Sequence, residues 1–435
     1  MKTPIYDFVK KYAEGNTLRA HMPGHKGHER LGCEKCDITE IAGADSLYDA
    51  DGIILESEKN TSSLFGSGAS FFSTEGSSQC IKAMVFAAVC GKSHPHILAA
   101  RNAHKAFISA AALTDAKVTW LPCSGTASHC GGTVTSEEVE KHITASDIPI
   151  DAVYITSPDY LGEISDIKGI SAVTRKYDIP LLTDNAHGAY LNFFGMHPIT
   201  LGADMCCDSA HKTLPALTGG AYLHLSRDAA EKYYLYAKNG LSLFGSTSPS
   251  YLTLASLDLC NKYLQEGHRD AKQLAEKISG IKSELKKYGF SIIGEEPYKI
   301  SIACNGRAAA EHLREFDIEC EFADSSVLVL MLTPDNSESD ILKIKKAFEA
   351  LQPKDFPPVP VPAPPIGTQA MTIREAIFSK HERIKPEKAA GRICASAAIS
   401  CPPAVPLAMC GEIITEQACE ALKRYGIKYI DVVKK

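Results

Sequence analysis

DSAHKTLPALTGG, residues 208–220, sets His211 beside Lys212 between two short apolar runs, Met205–Asp208 and Ala221–Leu225. Runs of that length, bounded by glycine and polar residues, read as buried strands. In an open α/β sheet ligands are met just beyond the carboxyl ends of the strands. A lysine delivered to such a place is positioned to act as a nucleophile.

Working outward, from about residue 50 to 265 similar runs alternate with longer helical patterns, as in a parallel sheet wrapped by helices. The expected strands are His96–Ala100, Val118–Leu121, Val153–Thr156, Leu181–Asp184, Met205–Asp208 and Ala221–Leu225. A helix over Ser78–Cys90 opens on Gly-Ser-Ser and closes at Gly91. Further on, a helical pattern over Tyr263–Lys287, strands at Lys299–Ala303 and Ser326–Leu332, and a helix at Ser339–Leu351 predict a smaller α+β domain. FPPVPVPAPP, Phe356–Pro365, is too rich in proline to continue either element and reads as a stiff connector. Beyond it, Met371–Lys435 reads as a C-terminal element with helices at Thr372–Lys380 and Thr415–Tyr425. The expected division is an N-terminal arm (1–50), a major domain (51–265), a small α+β domain (266–355), a linker (356–367) and a C-terminal domain (368–435).

At 435 residues the chain exceeds the roughly 250 to 300 at which single cores stop growing. A net charge of -6, with no long run of one sign, offers no nucleic-acid stripe and no polybasic membrane patch. The amino terminus has no signal-peptide core, and the longest apolar run, Ala83–Cys90, is too short to span a bilayer. The expected setting is the cytoplasm, where the 15 cysteines would remain free thiols. The CEKC pair, Cys33 and Cys36, lacks the second pair that a zinc site needs, so no metal is expected.

The residues after each strand form a set. RNAHKAF supplies His104, TDNAHGAYL supplies Asp184 at a strand end, and MCCDSAHK supplies Lys212. STEGSSQ places Gly76, Ser77 and Ser78 at a helix start, where free N–H groups, hydroxyls and the helix dipole can hold a phosphate. The same tripeptide is also an ordinary helix cap. A phosphate cradle, an acid, an imidazole and a lysine together describe a pyridoxal 5'-phosphate site.

These motifs identify a family. HMPGHKG (His21–Gly27), RNAHKAF, TDNAHGAYL, DSAHKTLPALTGGAYLH and GRICASAAISCPPAVPLAMCGEIITEQ resemble segments of the ornithine/lysine/arginine decarboxylases in their short form, and the likeness runs almost end to end. The resemblance implies a fold type I, aspartate-aminotransferase-like major domain. It makes Lys212 the lysine bonded to the cofactor, Asp184 the partner of the pyridine nitrogen and His104 the ring stacked on it. Ala186 would pack against the other face and His187 would lie near the phenolic oxygen, with Ser77, Ser78, Ser209 and His211 around the phosphate or the lysine. Departures fall at Glu75, Asn185, Gly219, Cys401, Ala404 and Cys410, where relatives commonly carry Asn, Glu, Gln, Tyr, Gly and Pro.

The implied reaction is decarboxylation of a basic L-amino acid, arginine first, then lysine or ornithine, in a homodimer or larger assembly with the site at the subunit junction. Lys212 and His211 are both candidates to return the proton to Cα. Glu412, ahead of Asp45, is the expected partner for the substrate's distal cation, although an acid at a helix start is also explained by the dipole. Competing readings are an aminotransferase or lyase of the same fold type, and a non-catalytic sensor. An aminotransferase would need a 2-oxo acid acceptor and usually an arginine clamp on the α-carboxylate, to which no residue is assigned; a sensor would have no use for Lys212.

Overall fold

The computed structural model describes residues 1–124, 131–359, 366–397, 400–401 and 405–435. The strands in chain order are β1 (Ala69–Ser73), β2 (His96–Ala100), β3 (Lys117–Leu121), β4 (Ala152–Thr156), β5 (Leu181–Asp184), β6 (Met205–Asp208) and β7 (Ala221–Leu225). Packing divides the chain into two compact units that do not follow the linear boundaries expected from the sequence. One is Met1–Gly91 with Ile167–Arg269, the other Lys92–Asp166 with Asp270–Lys435.

In the first unit the strand order is β1-β7-β6-β5. β5 and β6 are parallel, whereas β7 runs antiparallel to both of its neighbours. All four strands are buried along their whole length, so they read as apolar runs with no alternation. β1, ASFFS, is not among the strands expected from the sequence, because Ser70 and Ser73 leave it only a two-residue apolar run, Phe71–Phe72. The helix Ser77–Val89 lies on β6 and β7 and packs along the helix Arg227–Phe244. Their contact is close at Gly240, where a Cβ would stand 2.9 Å from the Ala83 Cα.

In the second unit β2 lies between β3 and β4, parallel to both. A separate antiparallel sheet has the order β10-β11-β9-β8, from β8 (Ser291–Ile293), β9 (Lys299–Ala303), β10 (Phe322–Ala323) and β11 (Val327–Met331). This is the α+β region expected from the sequence, with the helix Gly306–Glu315 packed on β10 and β11. The C-terminal element has its own core around Cys394, Leu407, Ile414, Leu422 and Val432.

One helix differs from expectation. The pattern over Tyr263–Lys287 is two helices, Tyr251–Glu266 and His268–Lys287. They part at Gly267, whose N–H donates to the Tyr263 carbonyl at 2.7 Å and where a Cβ would stand 2.8 Å from the same oxygen. Helical periodicity persists on both sides of such a break, so the pattern hides it. Much of the proline-rich connector, 360–365, lies outside the described residues, as does Ala404. Among the described residues the cysteines form no disulfide, Cys33 being exposed and Cys36 half-buried, and no helix is long and apolar enough to cross a membrane.

Candidate active site

β6 ends at Asp208, and the chain turns through a single helical turn, Ala210–Thr213, that presents His211 and Lys212. Lys212 Nζ lies 2.9 Å from His187 Nε2. His187 rides on the turn after β5, closed by the Gly188 N–H donating to the Asn185 carbonyl at 2.8 Å. Asp184 ends β5 with 2% exposure, opposite Cys207 in the parallel register. Its Oδ1 accepts the Ala186 N–H at 3.1 Å and lies 3.6 Å from Cys207 Sγ. His211 Nδ1 is 2.9 Å from the Gly220 carbonyl. A carbonyl only accepts, so Nδ1 carries the proton. Burial, with Lys212 alongside, lowers the pKa of this imidazole and leaves Nε2 as its basic atom.

The helix Ser77–Val89 begins beside that turn. Gly76 has φ +73°, and its N–H donates to the Gly219 carbonyl at 2.7 Å. Gly219 has φ +95°, and a Cβ there would stand 2.6 Å from the Thr74 carbonyl oxygen. The glycine at 219, one of the departures noted above, is therefore required by this crossing of the two loops. Ser209 Oγ donates to Ser77 Oγ at 2.8 Å, which joins the lysine segment to the helix start. Gln79 braces the loop from below, donating to the Tyr48 hydroxyl at 2.9 Å and the Leu241 carbonyl at 2.6 Å.

Gly76, Ser77, Ser78, Asp184, Ala186, His187, Ser209, His211 and Lys212 thus belong to one unit. His104 belongs to the other, as the N-cap of the helix Lys105–Leu113, with Nδ1 accepting the Ala106 N–H at 3.2 Å. In the first unit the donor set suits pyridoxal phosphate. A helix start with serine hydroxyls matches a phosphate, a buried carboxylate matches a ring N–H, and an amine is available to bond a carbonyl carbon.

The two carboxylates expected to meet a distal cation both have partners within the chain. Glu412, 2% exposed, pairs with Arg101 through two bonds, 2.6 Å to Nη1 and 2.8 Å to Nη2. Asp45 caps the start of the helix Ile53–Phe65, accepting N–H groups of Ser46 (2.8 Å), Asp51 (3.1 Å), Gly52 (2.9 Å) and Ile54 (2.9 Å). Burial pushes the Asp45 carboxyl up, but those donors outweigh it and hold it below its ordinary value. Neither carboxylate is left without a partner, because backbone donors and a guanidinium from a distant segment reach them, and sequence spacing reveals neither.

Four fully buried residues behind the strand ends receive no site role from sequence reasoning: Asn185, noted only as a departure, His197, Asp208 and His224. Asn185 and Asp208 sit inside the quoted motifs, but nothing in the spacing links them to each other or to His197 and His224, since these contacts join separate elements.

Residues 3–293 match the family model described as Orn/Lys/Arg decarboxylase, major domain, and residues 359–433 match its C-terminal domain. The arginine decarboxylase of Bacillus anthracis is 30% identical over 97% of this chain and 93% of its own. That of Bacillus subtilis is 29% identical over 96% of this chain and 92% of its own. Among solved structures, the lysine decarboxylase of Francisella novicida superposes with a TM-score of 0.82 at 18% identity, covering 99% of this chain and 81% of that one.

Proposed function

The chain belongs to the Orn/Lys/Arg decarboxylase family, and from that premise we propose that it is a pyridoxal-phosphate-dependent decarboxylase of a basic L-amino acid. Arginine is the first candidate substrate, with lysine and ornithine next, since arginine decarboxylases are among the relatives similar over nearly the full chain. The observation that carries the reading is the convergence, at the ends of β5 and β6, of Lys212, His187 and Asp184 beside the Ser77–Ser209 pair.

When bound, the cofactor supplies an electron-poor ring that accepts the electrons freed as the bond to the α-carboxylate breaks. Lys212 would hold it through the amine, and Ser77, Ser78 and Ser209 would hold its phosphate at the helix start. Asp184 would keep a proton on the ring nitrogen, because a buried carboxylate favours the charged form of a base beside it. His187, within hydrogen-bond reach of Lys212 Nζ, orients that amine. His211, with its proton on Nδ1, and Lys212 both remain candidates to return the proton to Cα. His104 enters as the stacking ring through its motif alone.

The test is incubation of the pyridoxal-phosphate-loaded protein with arginine, lysine and ornithine in turn, measuring carbon dioxide and amine. One of them is expected to give both products in equal amounts without any 2-oxo acid. Product formation that requires a 2-oxo acid would make the enzyme an aminotransferase and overturn the reading.

A further inference from the structure

Asp208 closes β6 with no exposure to solvent. Its Oδ1 accepts from Asn185 Nδ2 at 2.7 Å, with Cys206 Sγ 3.5 Å away. Its Oδ2 is 3.0 Å from His197 Nε2 and 3.3 Å from His224 Nε2. His197 caps the short helix Pro198–Leu201, its Nδ1 accepting the Ile199 N–H at 3.4 Å, so the ring proton is on Nε2 and is donated to Asp208. His224 stands opposite Cys206 in the β6–β7 ladder, with Nδ1 2.7 Å from Ser70 Oγ on β1. The cluster therefore touches every strand of the β1-β7-β6-β5 set.

Asn185 is the link from this cluster to the site. It follows Asp184 directly, and its own N–H donates to the Cys207 carbonyl at 2.9 Å. Its side chain lies over Gly188, where a Cβ would fall 2.0 Å from Asn185 Oδ1. The amide is thus pinned between the Gly188 backbone and the Asp208 carboxylate. The turn so fixed runs from Asp184 to His187, and His187 meets Lys212.

We infer that Asp208 is a positioning residue: its carboxylate, engaged by His197 and His224, holds the Asn185 amide and so fixes the turn bearing Asp184 and His187 against the strand bearing Lys212. This rests on the reading of the site as a pyridoxal phosphate site. Facing Asp208 are His197 from the cap, His224 and Tyr222 from β7, Cys206 from β6 and Asn185 from the turn; Cys80 of the helix Ser77–Val89 and Cys207 of β6 also feel its charge. Burial alone would raise the Asp208 carboxyl, but the two imidazoles outweigh it and hold it far below its usual range, so the anion persists at neutral pH. His197, Asp208 and His224 also offer atoms that ligate metals. The Ile199 N–H on His197 Nδ1 makes Nε2 a donor, which favours the hydrogen-bonded arrangement.

The test compares pyridoxal-phosphate-loaded wild type with Asn185→Ala, Asp208→Asn and the double variant. The readouts are the cofactor dissociation constant, the pH midpoint of the bound cofactor's visible band, the melting temperature and metal content. Each single variant is expected to weaken cofactor binding by about tenfold, the worth of a lost hydrogen bond to a charged group, and to move the band's midpoint. The double variant should be no worse than the worse single, because the two residues act as one unit. Asn185→Ala leaves the histidine contacts to Asp208 intact and decides the matter even if Asp208→Asn fails to fold. A folded Asn185→Ala with wild-type affinity and wild-type band midpoint would reduce the cluster to core stability, and stoichiometric metal in the wild type would make it a metal site; either overturns the inference. A wild type that takes up no pyridoxal phosphate would instead remove the functional reading on which the inference rests.

Discussion

Asp184 and Lys212 carry the largest consequences of single substitutions. On the proposed reading, Asp184→Asn keeps the volume but removes the charge that would hold a proton on the cofactor's ring nitrogen. Turnover is expected to fall by about 10²-fold or more, the scale on which removing one preorganised electrostatic group acts, while the melting temperature changes little. Steady-state kinetics alongside a thermal melt checks both halves of that statement. Arg101 gives the opposite profile. Its guanidinium neutralises a carboxylate that is 2% exposed, so Arg101→Met leaves Glu412 buried and unpaired. We expect a loss of about 3–5 kcal/mol in stability, measured by denaturant unfolding. Unchanged stability in Arg101→Met would mean that the pair is not what keeps Glu412 buried.

Among the elements, the helix Ile53–Phe65 and β1 meet through Glu58, whose Oε1 accepts the Phe72 N–H at 2.9 Å. Burial raises this carboxyl to about 8 against Phe72 and Lys238, both of which lower it. The folded state therefore binds a proton that the unfolded chain releases above its ordinary value of 4.5. The favourable contribution is complete below that value and is lost as pH rises through about 8. Glu58→Gln, which stays neutral, should remove this loss, so its melting temperature should gain on the wild type between these pH values. Parallel pH-dependent melts of the two proteins measure it. The loop crossing at Gly219 makes a second prediction at this scale. Gly219→Ala must carry a Cβ at φ +95° against the Thr74 carbonyl, and about 1–3 kcal/mol of strain is expected. Because Gly76 hangs on the Gly219 carbonyl, the substitution should also weaken pyridoxal phosphate binding, which equilibrium dialysis would detect.

For the whole molecule, the family resemblance carries the expectation of a homo-oligomer with the site at a subunit junction. Sedimentation with parallel activity assays should find activity confined to the assembled species, and an active monomer would refute it. The two compact units each draw on separated stretches of chain, so the linear boundaries at residues 265 and 355 do not mark them. Covalent order and local composition sufficed for the α/β class, for β2, β5, β6 and β7 with their ends as expected, and for a lysine, an acid and a helix start brought to one place. Those features are local, since a strand is written in four or five consecutive, largely apolar residues and a helix start in Gly-Ser-Ser. Folding alone decided the rest. Glu412 found Arg101, Asp45 found the backbone of its own loop, and Asp208 gathered Asn185, His197 and His224 from three elements. A buried charge takes whichever partner the packed chain brings within hydrogen-bond reach, and that choice is nonlocal, so no spacing along the chain encodes it.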